Sequence, residues 1–405
     1  MKTHFKNLAL AFLVLALAAS ARAQVNSGST GADGAFNPTT NTVINMADHP
    51  TGIYHYTSVN IPAGVMVTFI PNANNTPVVW LVQGNCTIDG AVDASGESAA
   101  DPSTGKFTGG RGGPGGFRGG NGGIAGNGGQ GPGGGLAQDY RGRDAGYGAR
   151  PILRYSSTEV ETDGGPIYGN QYVLPLIGGS GGGGSTNINN TNGGGAGGGG
   201  GGAILIAVTQ TLDLKGSILS YGGAGGVNQI ILIGGGGGSG GAIRLISSKL
   251  TGTGGVQTFG GTGASGFGGL GRVRFDVWDN NFGGSIYGVS SQGFQPIIIP
   301  SAGQGTQLAI ASVAGAPVAA SPNGLLATPD SIIAAQAANP VAIVVRCTNL
   351  PLNTPVTVTV KPANGPAISA VGYNTAGTLA SSTATVQLNM PRGGGLIYAT
   401  AATAP

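Results

Sequence analysis

Residues 193–223 read GGGAGGGGGGAILIAVTQTLDLKGSILSYGG. A run almost without side chains passes straight into Ala203–Val208, which is apolar and β-prone. A polar stretch follows, then the step Gly216-Ser217-Ile218 and a second glycine exit. The same order recurs at 78–96 (VVWLVQGNCTIDGAVDASG), 242–261 (AIRLISSKLTGTGGVQTFGG) and 272–291 (RVRFDVWDNNFGGSIYGVSS). Their small-small-apolar steps are Gly90-Ala91-Val92, Gly254-Gly255-Val256 and Gly284-Ser285-Ile286.

A unit of about twenty residues with two short strand signals has the size of one β-solenoid coil. One coil cannot bury its own apolar face, whereas stacked coils share a core and bond strand to strand. The expected fold is all-β: a β-solenoid (parallel β-helix) over 24–300, its coils interrupted by glycine-rich insertions. The largest insertion spans about 97–202, and shorter ones fall near 222–241 and 260–271. A β-sandwich is the alternative use of the same strands. SVNIPAGVMVTFI, at 58–70, reads as strand, Pro-Gly turn and strand, starting or capping the stack.

The stretches NIPAGVMVTF, TIDGAVDASG, GGGGGGAILIAV and GGGGGSGGAIRLI resemble secreted bacterial glycine-rich proteins with a right-handed parallel β-helix. The resemblance covers about 40–300, and the handedness is what it implies, not something the spacing gives.

In GGRGGPGGFRGGNGG, at 109–123, glycine pairs are mostly separated by single residues. A near-period of three suits polyproline II geometry, with about three residues per turn. Collagen would need one glycine in every triplet and far more proline. Two readings remain: a flexible linker, or packed polyglycine helices whose backbone groups bond laterally. The ends of these runs must return to neighbouring strands, which favours the packed form.

Lys2 and Lys6, the apolar run Leu8–Ala18 and the step Ala21-Arg22-Ala23 form a signal-peptide pattern over 1–23, with cleavage expected after Ala23. The mature chain is then secreted, at the cell surface or extracellular, with no transmembrane segment expected. Losing Lys2, Lys6 and Arg22 leaves basic and acidic residues in equal number, which argues against a nucleic-acid partner. Only 8% of residues are charged while 40% are hydrophobic, so a charged, disordered chain is excluded. Cys86 and Cys347 lie far apart, on either side of a composition change, and read as small buried strand residues.

No convincing catalytic site emerges, and neither a metal nor a cofactor is expected. His49 and His55 flank a Pro50–Gly52 turn with Asp48 nearby, and they read as loop histidines. Gly-x-Ser-x-Gly occurs around Ser180 and Ser239 without the helix a nucleophile elbow needs. Lys106 lacks a phosphate-loop context, and the glycine runs lack the aspartates of calcium-binding nonapeptides. Asp89 and Asp93 are four apart and would share a strand face, out of line with Asp213. Arg244 would stand one coil from Arg274, with Arg272 and Asp276 close by. Such a column either attracts an anionic glycan or is simply solvated.

The richest stretch is 136–172. It carries Tyr140, Arg141, Arg143, Tyr147, Arg150, Arg154 and Tyr155 in a chain otherwise poor in charge. Aromatic rings and forked guanidinium groups serve carbohydrate or protein recognition. The plainer reading is a polar loop whose side chains pack on the glycine-rich body. Together with Arg244 and Arg274, these are the candidate binding residues.

Beyond about 305 the glycine runs stop. VAIVVRC (341–347), PVTVTVK (355–361), TATVQLNM (383–390) and GLIYATA (395–401) alternate as half-buried strands do. Residues 305–405 are expected to form a β-sandwich resembling bacterial Ig-like domains, without their Cys–Trp–Cys signature. TPDSIIAAQAANP (328–340) is expected to hold one short helix. The expected function is a non-catalytic structural or adhesive protein meeting carbohydrate, a cell-surface protein or further copies of itself. A polysaccharide-acting β-helix enzyme and a self-assembling filament or matrix subunit are the alternatives.

Overall fold

A computed structural model describes residues 25–100, 105–153, 163–186, 194–228, 233–293, 307–319, 322, 329–362 and 366–401. Residues 1–23, expected to be a signal peptide, and Arg154 and Tyr155 lie outside them. The described chain is all-β; its one helical element is the 3-10 turn Met46–Asp48. No helix among these residues is long and apolar enough to cross a membrane.

Two large parallel sheets dominate. In the eight-stranded sheet, Val78–Val82 pairs with Ala203–Leu214, which pairs with Ala242–Thr251, which pairs with Arg272–Asn280. These are the apolar runs of the four repeats. In the six-stranded sheet the small-small-apolar steps lie in register: Val92 opposite Ile218, Ile218 opposite Val256, and Val256 opposite Ile286. One hydrophobic cluster draws on both sheets, with Trp80, Ile204, Ile206 and Ile243 from the larger and Val92, Ile218 and Val256 from the smaller. Alternation does the sorting, since successive strand side chains point to opposite faces.

The glycine opening each step is set by space. A Cβ on Gly216 would lie 1.7 Å from the Gly90 carbonyl oxygen, and one on Gly254 would lie 2.1 Å from that of Gly216. The turns stack backbone on backbone, and only glycine lets them approach so closely. Residues 58–70 form the expected strand, turn and strand, but they do not start the stack: Ile53–Ile61 pairs with Val78–Val82, and Met66–Ile70 pairs with Ala91–Asp93. A further rung, Gly34–Phe36 and Thr42–Asn45, pairs with these two strands in turn.

The described parts of the glycine-rich segments bond to one another through their backbones. They run outward from the six-stranded sheet and return to the eight-stranded one as extended legs, and 194–202 shows the bonding rule. Gly197 and Gly200 donate to Gly120 and Phe117, Gly198 and Gly201 to Gly236 and Ser239, and Gly199 and Gly202 to Glu97 and Ala94, at 2.8–3.0 Å. The carbonyls rotate likewise: Gly197 and Gly200 accept from Gly110 and Gly113, Gly198 and Gly201 from Gly182 and Gly179, and Ala196 and Gly199 from Gly226 and Gly223. Every third residue faces the same neighbour, which is the period of polyproline II geometry. One leg is thus ringed by six others. No glycine of 194–202 has a positive φ; these residues are glycine because a Cβ would strike a neighbouring backbone.

The C-terminal strands form a five-stranded and a three-stranded sheet, both antiparallel. They share one core, with Ile343, Val345 and Val386 from the first and Val356 and Val358 from the second. The helix expected over 328–340 does not form in 329–340. That stretch offers few large apolar side chains, and Arg392 donates to the carbonyls of Ala335 and Ala337 that a helix would use.

Candidate functional site

The outer ends of the glycine legs converge. Gly123 bridges to Thr186 and Gly194, Gln138–Asp139 pairs with Ser185–Thr186, and Arg141 bridges to Gly234. Tyr140 sits where one leg reverses into the next. The Arg141 N–H donates to the Asp139 carbonyl at 2.8 Å across it, and its φ is +65°. A bond from residue i+2 to residue i around a positive φ is a γ-turn, a strained backbone for a bulky side chain. This chain holds 83 glycines, yet it keeps tyrosine at a position glycine would relax. The Tyr140 side chain is 51% exposed, and Ile124 on the adjoining turn is 66% exposed. Arg141 and Arg150 are exposed; Arg143 is half-buried and pairs with Asp163 at 3.1 Å.

Tyr147 and residues 163–177 pack over the outer face of the eight-stranded sheet. Tyr147 is buried and donates to the Ile177 carbonyl at 2.9 Å. Tyr168 donates to Gly178, and its own carbonyl accepts from Arg272, which also lies over the Tyr147 ring. Arg244 and Arg274 do stand opposite one another. Both are buried, as is Asp276, whose two carboxylate oxygens accept from one guanidinium each at 2.7 Å. Tyr172 covers Arg274. This column is neither solvated nor open to a ligand; it is a buried ionic cluster beneath the returning segment.

The motif residues find structural places. Ser180 and Ser239 are buried, and Ser239 Oγ accepts from the Ser180 N–H at 2.8 Å. His49 turns to Asp33 at 3.1 Å and stacks on Tyr54. Asp89 lies in the turn before the strand that holds Asp93, so the two do not share a strand; Lys215 links Asp89 to Asp213. Cys86 and Cys347 are free and buried, and burial pushes both thiols up.

A crevice of about 940 Å³ opens between the glycine legs and the C-terminal sheets. Arg111, Phe117 and Arg118 face it from the legs, and Arg346 and Tyr398 from the sheets. Sequence reasoning missed all five, because they converge only when segments some two hundred residues apart meet. On the same junction Lys361 is buried and donates to the Gly134 carbonyl. Burial pushes its amine down to about 7.

Compared with known proteins, the chain matches no family model, no curated protein and no solved structure.

Proposed function

We propose that this chain is an exported, non-catalytic adhesive or structural protein whose contact surface is the outer end of its glycine legs. In this reading the parallel sheets are faces of a β-solenoid, the legs a bundle of polyglycine helices, and the C-terminal sheets an Ig-like β-sandwich serving as spacer or second contact. The registers of the four repeats support the solenoid, and the six-fold bonding around 194–202 supports the bundle. Such a bundle is stiff and thin, and its outer end presents side chains where legs reverse. The partners it suits are a cell-surface protein or glycan, and further copies meeting end to end.

The observation that carries this reading is Tyr140: exposed, and held at a positive φ among turns that could have used glycine. Strain kept at an exposed position, against an easy remedy, points to selection for the side chain. Tyr140→Gly in the mature 24–405 chain tests it. Adhesion to cell surfaces should fall about tenfold or more, as when an aromatic hot spot is lost, while the melting temperature holds or rises. Unchanged adhesion would overturn the assignment.

A further inference from the structure

The crevice between the glycine legs and the C-terminal sheets is built like a ligand site. Its volume of about 940 Å³ lies in the range that encloses small ligands, roughly 300–1,000 Å³. Its charge is lopsided. Arg111, Arg118 and Arg346 line it, against one carboxylate among the lining residues, Asp330. Arg111 is satisfied by Glu97, which takes it in a two-pronged grip at 2.8–3.1 Å from outside the lining. Arg118 spends its Nε on the Gly109 carbonyl at 3.2 Å, and its charge also acts on Glu97. Arg346 is exposed on the strand Val341–Thr348.

The remaining walls set the class of anion. Phe117 and Tyr398 are half-buried rings, one on each side of the junction. Ring faces pack against the C–H faces of a sugar, and forked guanidinium groups grip a planar carboxylate in two-pronged fashion. A bare inorganic anion would use the arginines and leave the rings idle. An uncharged sugar would make no use of the arginines.

We infer that this crevice binds an acidic saccharide of the uronate type, with Arg118 and Arg346 clamping its carboxylates across the junction. The site is separate from Tyr140 and stands or falls without it. Its walls come from both parts of the chain, so an occupant fixes the C-terminal sheets against the glycine legs.

Titration calorimetry of the 24–405 chain with a galacturonate tetramer, its methyl ester and tetraglutamate tests the inference. The tetramer should bind. The ester and tetraglutamate should bind at least tenfold more weakly, one lacking the charge and the other the sugar. Arg118→Lys and Arg346→Ala should each weaken tetramer binding about tenfold, the loss expected of one charge-assisted bond. Circular dichroism and melting should match the parent, since Arg346 is exposed and the lysine keeps the Arg118 charge. Tyr140→Gly should bind the tetramer normally, whatever it does to adhesion. Absent tetramer binding, binding unmoved in both arginine variants, or equal binding of tetraglutamate would overturn the proposal.

Discussion

Gly198 lies in the leg that six others surround, and replacing it with alanine tests the packing rule directly. The added Cβ would stand 1.9 Å from the Gly223 oxygen, 2.5 Å from the Gly223 carbon and 2.8 Å from the Ala224 carbon. All three are backbone atoms, so no side chain can swing away. An ordinary contact of 3.4 Å requires the neighbouring leg to recede by about 1.5 Å, which is overpacking of a close-packed interior. That shift breaks the 2.7 Å bond from Gly223 to Gly199 and strains the 3.0 Å bond from Gly238 to Gly223. Each buried backbone group left unpaired costs about 1–3 kcal/mol. Alanine recovers about 0.4–1 kcal/mol by restricting the unfolded chain. The balance is a loss of about 3 kcal/mol. Gly283→Ala is the control: its nearest atoms are 3.9 and 4.0 Å away and its φ is not positive, so it should change stability by less than about 1 kcal/mol. Denaturant unfolding gives both differences, and hydrogen exchange over 194–202 reports whether the leg has come loose. If Gly198→Ala behaves like Gly283→Ala, the six-neighbour packing is wrong.

Lys361 carries a pH signature: its amine titrates at about 7 when folded and near 10.4 when unfolded. The penalty for the buried charge, at most about 5 kcal/mol, is therefore full below pH 7 and disappears as pH rises toward 10. Lys361→Met should be more stable than the parent at pH 6 and lose that advantage by pH 10; a difference that does not vary with pH refutes the burial. Asp276→Asn leaves Arg244 and Arg274 buried without their shared counter-charge and should cost about 3–5 kcal/mol, so an unchanged unfolding midpoint would refute the cluster. Cys86 and Cys347 should resist alkylation in the native protein and both react once it is denatured; a denatured, unreduced sample with fewer than two thiols would refute their being free.

The repeat was legible because its signal is physical at two levels. The apolar runs alternate as strands do, and the Gly216-type steps mark where turns must stack without a Cβ. The rung formed by 34–36 and 42–45 escaped notice because three- and four-residue strands carry too little alternation to stand out. Glycine spacing suggested period-three legs, but a linker of the same composition looks identical; only the neighbours of each leg decide between them. The Arg244–Arg274 pairing follows from register, whereas the burial of both depends on residues 163–177 folding back over the sheet, which no local pattern announces. In the tyrosine-rich segment, composition marked the region without separating Tyr147, which is buried, from Tyr140, which is exposed. Tyr147 is buried because it packs on Val173, Ala203 and Ala242. The arginines of the crevice sit in glycine-rich or strand sequence with nothing nearby to single them out.

Sheets and legs are held by different forces, and the order in which they form follows from that. The sheets bury Trp80, Ile206 and Ile218 in an apolar core, the main drive for folding near room temperature. The legs bury almost no apolar side chain. They gain backbone hydrogen bonds, each worth only about 1 kcal/mol net, and they order the residue that loses most freedom on folding. Free in solution, a leg would stay unfolded. Here each leg leaves one strand and returns to another whose position the sheets already fix. Gly223 on its way out bonds to Gly199 on its way back, and Gly238 bonds to Gly223 in turn. Anchoring removes much of the loop-closure cost before any leg bond forms, and the spacing of stacked turns sets the spacing of the legs. The sheets therefore act as the template on which the legs assemble, and loosening the rungs from which the legs spring should loosen the legs first.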